Sequence, residues 1–78
     1  MRVKFAQSTR KHRIAKGRAF YVIDNNEPVT RINTRGEVEY EWVGTDERGL
    51  ELEVVGAQID DDLILVFHVM PTNYRRNR

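Results

Sequence analysis

Residues 37–70, EVEYEWVGTDERGLELEVVGAQIDDDLILVFHVM, decide the fold. Val38, Tyr40 and Trp42 alternate with Glu37, Glu39 and Glu41, and Leu50, Leu52 and Val54 then alternate with Glu51 and Glu53. A third run sets Leu63, Leu65, Phe67 and Val69 against Ile64, Val66 and His68. A period of two is what a strand with one buried face requires, because successive side chains point to opposite sides of a sheet. The segments between the runs, residues 44–49 and 56–62, are short, polar and rich in Gly and Asp. That suits hairpin loops and not the longer crossovers that parallel strands need. The stretch reads as an antiparallel meander of three strands.

Its register follows from the same alternation, since a slip by one residue would turn a whole apolar set to water. With the second turn centred on Asp60-Asp61, Leu52 is expected opposite Val69, Val54 opposite Phe67, and Glu53 opposite His68. Glu39 or Glu41 would then lie beside Glu51 and Glu53. Such like-charge neighbours cost roughly a few tenths of a kcal/mol per exposed pair, so this face needs water or a basic partner. It also holds a lone histidine among carboxylates.

Upstream of the meander, Val3 and Phe5 read as a short first strand, and Ser8 or Thr9 as the cap of a helix starting near Arg10. Ile14, Ala15, Ala19, Val22 and Ile23 recur at spacings of three and four, an apolar stripe for packing on a sheet. Gly17 is the expected break between two short helices, and residues 24–28 form a loop ahead of Pro28. Residues 29–34 read as an edge strand or an irregular connection into the Arg35-Gly36 turn, and Pro71 stops the last strand. Tyr40, Trp42 and Phe67, with Phe20 and Tyr21, are assigned to packing. The fold class expected is α+β, with one or two N-terminal helices packed on a small antiparallel meander sheet.

Seventy-eight residues make a single domain, spanning 1–78, with a thin core. A chain of this size buries only about 60% of its unfolded surface. The absence of cysteine excludes a disulfide framework and thiolate metal sites, and a reducing cytoplasm is the expected compartment. His12 and His68 stand far apart without a ligand motif, so no metal and no cofactor is expected. No apolar run approaches membrane-spanning length, and no membrane partner is expected.

Net charge is only +1, yet the charges are segregated. Lys4, Arg10, Lys11, His12, Arg13, Lys16 and Arg18 crowd the first 18 residues with no acid among them, and Arg75, Arg76 and Arg78 close the chain. An anionic partner is implied, with RNA the first candidate.

RNA cleavage without metal needs the 2′-hydroxyl deprotonated, the phosphorane charge stabilised and the 5′-oxygen protonated. His68 suits proton transfer because imidazole titrates near neutrality, and Glu53 would orient its ring. The candidate catalytic residues are therefore His68 and Glu53, and the plainer alternative is a structural pair on a strand. Lys11, His12 and Arg13 are candidate RNA contacts, or else the solvated face of a helix. Arg48 reaches a phosphate or only completes its turn with Asp46. Tyr74 and Arg75 either stack on a base and hold a phosphate or belong to a frayed end.

Three stretches carry a resemblance. The run STRKHRIAKGRAFYVID at residues 8–24, the hairpin WVGTDERGLELEVVG at 42–56 and the ending from Leu63 to Arg75 resemble a family of small actinobacterial toxins encoded beside small antitoxins. More distantly, the order of a Lys-His-containing helical start, an acidic loop and a meander is similar to BrnT-type toxins of the RelE/ParE superfamily. The resemblance implies a type II toxin–antitoxin module: a RelE/ParE-like, compact ribonuclease held inactive by a cognate antitoxin protein. The basic extension that ends BrnT toxins is reduced here to residues 74–78, and no catalytic position is carried over from them. Two other classes stay open: a non-catalytic module whose acidic strand face docks a basic protein, and a toxin that blocks a protein target.

Overall fold

Five strands form one sheet in the computed structural model, which describes residues 2–73. They are β1 (Arg2–Phe5), β2 (Val29–Ile32), β3 (Val38–Thr45), β4 (Glu51–Asp60) and β5 (Leu63–Pro71), in the spatial order β1-β5-β4-β3-β2. The three central strands are the expected meander, and β2 adds to it as an exposed antiparallel edge. β1 pairs in parallel with β5, Val3 beside Ile64 and Phe5 beside Val66, so the fold is α+β with a mixed sheet and not a purely antiparallel one. The chain can return antiparallel through tight turns only between neighbours. β1 is separated from β5 by the whole domain, and its direction is free of that constraint.

One helix, α1 (Lys16–Asn25), packs on one face of the sheet. Its Ala19 and Val22 meet Trp42, Leu52, Val54, Ile64, Val66 and Val69, with Val3, Phe5, Ile14 and Ile23 partly buried around them. Each large side chain removed from water here contributes on the order of 1.5–3 kcal/mol. Ala15 is the exposed N-cap of α1 and lies outside the stripe. Phe20 and Tyr21 are also more exposed than packing would require, although Phe20 meets Phe5 edge-on at 5.2 Å.

A 3₁₀ helix, Gln7–His12, precedes α1. The break between them is not at Gly17, which lies within α1, but at Arg13, whose left-handed backbone (φ 56°) lets its N–H close on the Arg10 carbonyl. Neither expected cap residue caps. Ala6 stands at the N-cap, the Thr9 hydroxyl donates to the Ala6 carbonyl, and the Ser8 hydroxyl donates to the Phe67 carbonyl at 2.8 Å.

The register of β4 on β5 differs from expectation. Val54 faces Val69, Glu53 faces Met70 and Val55 faces His68. The ladder then slips between Val55 and Gly56, where Phe67 is an extra residue, and again between Gln58 and Asp60, where Ile59 is extra. Gly56 makes the first slip possible. A Cβ on it would come within 2.8 Å of Ile64 Cγ2 and 3.0 Å of the Leu65 carbonyl oxygen. β4 therefore runs through most of the segment expected to be a loop, leaving Asp61-Asp62 as the turn. The bulge also reverses the parity of β5. Ile64 and Val66 join Val69 in the core, while Phe67, expected inside, is 38% exposed on the opposite side.

The acids do not face one another across the strands. Glu39 is paired with Ala57, Glu41 with Val55 and Glu53 with Met70, and Arg31 from β2 reaches both Glu39 (3.3 Å) and Glu41 (3.5 Å). At the β3–β4 turn, Asp46 accepts from the backbone N–H of Arg48 and of Leu50 and from Arg18 Nε at 2.6 Å. Burial pushes its pKa up, but the Arg18 hydrogen bond, the two backbone N–H groups and the Arg18 charge together outweigh it. The carboxyl is held below its ordinary range.

Candidate functional site

His68 follows the bulge directly, and the extra residue turns both Phe67 and His68 away from the core. A bulge leaves one residue's backbone outside the ladder. Here the Ser8 hydroxyl takes the Phe67 carbonyl, and the neighbouring Ala6 N–H bonds to the Val66 carbonyl at 2.8 Å. These two bonds hold the basic 3₁₀ helix against β5.

Glu53 and His68 meet as the sequence suggests, though not as directly opposed residues. Glu53 faces Met70, two positions beyond His68, so the contact is diagonal. Glu53 Oε1 lies 2.8 Å from His68 Nε2. The carboxylate side chain is 6% exposed and the imidazole 34%, so a buried acid holds a ring that solvent can reach.

Around this pair lies an open cleft of about 500 Å³. Ser8, Lys11 and His12 line it from the 3₁₀ helix, and Glu53, Phe67, His68 and Met70 from the sheet. Four residues named from the sequence, Lys11, His12, Glu53 and His68, thus share one cavity although they come from opposite ends of the chain. Two others are not brought in: Arg13 is exposed in the connection after the 3₁₀ helix, and Arg48 is exposed on the β3–β4 turn. Tyr74 and Arg75 lie outside the described residues.

Ser8, Phe67, Val69 and Met70 are the lining residues that sequence reasoning missed. The signal that reaches Phe67 is Gly56, an isolated glycine inside an alternating run, which marks a bulge or a close backbone approach. Among the described residues, no three His, Asp or Glu side chains gather as metal ligands would. Among them, too, no helix is long and apolar enough to cross a membrane.

Fold and cleft together define a small α+β domain whose mixed sheet carries a helix on one face and a His–Glu cleft at the edge of the other. Comparison of the chain with models of protein families, with curated proteins and with solved structures finds no match.

Proposed function

We propose that the protein is the toxin of a type II toxin–antitoxin pair, RelE/ParE-like in class, acting in the cytoplasm as a metal-independent ribonuclease and neutralised by a cognate antitoxin protein. The observation that carries this reading is the convergence of Lys11 and His12 with the Glu53–His68 pair on one open cleft. Cations and imidazoles are groups that can carry out phosphodiester cleavage, and the cleft they line has a volume of about 500 Å³.

In the reaction so assigned, the 2′-oxygen bonds to phosphorus as the bond to the 5′-oxygen breaks, giving a 2′,3′-cyclic phosphate and a free 5′-hydroxyl. His68 takes the 2′-hydroxyl proton. Glu53 fixes the ring through Nε2, leaving Nδ1 to exchange the proton. His12, from the facing wall, returns a proton to the leaving 5′-oxygen, and Lys11 balances the charge that builds on the phosphorane. Arg13 and Arg48, outside the cleft, serve phosphates farther along the strand.

A second reading rests on a different observation. Glu39 and Glu41 lie on the same side of the sheet as Glu53, a partly acidic surface that a basic protein would complement. On that reading the protein is a non-catalytic interaction module or a toxin that blocks a protein target.

Induced expression of the wild type and of His68→Ala in a bacterial host, with growth and total RNA followed over time, separates the readings. Growth arrest with RNA cleavage, both lost in the variant, is the expected result. Arrest with intact RNA points to a protein target. No arrest from either chain overturns the toxin assignment.

A further inference from the structure

Beyond Phe67, on the same side of the sheet as His68, lies a second depression of about 320 Å³, at the small end of the range for ligand pockets. Its floor is apolar, made by Ala57 and Leu65, with the more exposed Ile59 beside them. Its rim is polar and carries Arg35 and the carboxylates of Glu37 and Glu39. Phe67 lines both this pocket and the His–Glu cleft, so the two cavities adjoin at that residue.

We propose that this pocket seats a guanine base of the RNA strand whose phosphate occupies the cleft. The inference rests on the ribonuclease reading and adds to it the base that is recognised. The two cavities differ in their balance of groups. The cleft offers Lys11 and two histidines beside the Glu53 carboxylate, whereas the pocket offers an apolar lining with two carboxylates, Glu37 and Glu39, and Arg35, and Phe67 belongs to both. A nucleotide is likewise uneven, an anionic phosphate joined to a flat aromatic plate with hydrogen-bonding edges.

Among the four bases, only guanine presents two adjacent donors, N1–H and the N2 amino group, beside an acceptor, O6. A carboxylate accepts such a pair of donors side by side, as it accepts the fork of an arginine. Glu39 is the reader. It is the strand partner of Ala57, is 18% exposed, and has one oxygen approached by Arg31 Nε at 3.3 Å. An ionised carboxylate has about four lone-pair sites, so capacity remains for the base. Glu37 already accepts from Asn33 Nδ2 at 3.0 Å, and Arg35 on the rim supplies the donor that O6 needs. Phe67 provides the stacking surface, a role every base accepts and which therefore adds affinity without selectivity.

The test uses four 2′-O-methyl tetranucleotides that differ in one base and cannot be cleaved, titrated into the wild type, Glu39→Gln and Phe67→Ala by fluorescence anisotropy. Guanosine monophosphate is run as a competitor, and circular dichroism confirms that both variants fold. The guanine oligonucleotide is expected to bind wild type about tenfold tighter than the others. Glu39→Gln is expected to erase that preference, and Phe67→Ala to weaken all four roughly tenfold. Equal binding of the four bases, or a guanine preference that survives Glu39→Gln, overturns the pocket. Competition by the mononucleotide at the affinity of the tetranucleotide overturns an RNA strand as the occupant. Guanine-selective binding without cleavage of ordinary RNA overturns the nuclease and leaves the base pocket standing, and cleavage with no guanine preference does the reverse.

Discussion

Two hydrogen-bonded side-chain pairs bracket the start of β4, and they are built in opposite ways. In Arg18–Asp46 the carboxylate is fully covered, and its oxygens take the guanidinium at 2.6 Å and two backbone N–H groups from its own turn. In Glu53–His68 the acid is nearly as covered, but its partner is one-third exposed and lines an open cleft. A pair whose every partner is internal positions the chain. A pair with one internal and one accessible member has a group left over for something outside. The first links α1 to the β3–β4 hairpin, and the second puts a proton-carrying ring where a ligand can reach it.

The contrast can be broken from either side. The largest effect on stability is expected from Arg18→Ala, which leaves the Asp46 carboxylate buried with only its backbone donors. Denaturant titration should show a loss of about 2 kcal/mol. Since 1 kcal/mol moves the midpoint of so small a domain by about 4–8 °C, melting should fall by about 10 °C. RNA cleavage measured well below that midpoint should be unchanged. A comparable fall in activity at full folding would show that the two pairs are coupled.

His68→Ala should behave inversely, costing about 1 kcal/mol of stability, because removing a ring that faces the open cleft lets water reach the Glu53 carboxylate in its place. A stability loss as large as that of Arg18→Ala would mean the histidine is structural. The last test concerns acid. Asp46 has a folded pKa below its ordinary value, so its contribution is complete above the unfolded pKa and is lost as pH falls through the lower folded one. The stability gap between wild type and Asp46→Asn should therefore be constant from neutrality to the usual carboxylate range and close only below it. A gap that closed near pH 6 would assign the effect to another group.

The meander, its strand order and the Glu53–His68 contact were legible because alternation of apolar and acidic residues leaves little freedom in which side faces in. The exact register was not. Alternation is blind to one extra residue, and Phe67 is such a residue: Leu63, Leu65, Phe67 and Val69 read as one face although the bulge splits them. The error cancelled at the site. A register displaced by two positions keeps Glu53 and His68 on one side of the sheet, where a diagonal contact replaces the expected direct one. The parallel pairing of β1 with β5 was illegible for a different reason, since four residues with two apolar positions carry no statement of direction. Convergence of Lys11 and His12 on His68 depends on that pairing and on the Ser8 bond to the bulge, so it could not be read before the structure.

That pairing also fixes when the cleft comes into being. Residues 2–12 acquire their place only once residues 63–70 have formed a strand, because β1 docks on β5 and the 3₁₀ helix on the turned-out carbonyl of Phe67. A segment made before its partner strand is thus placed only after it, the slow step expected of contacts so distant in sequence. Until then Lys11 and His12 are separated from His68, and a half-made chain carries none of the assembled chemistry.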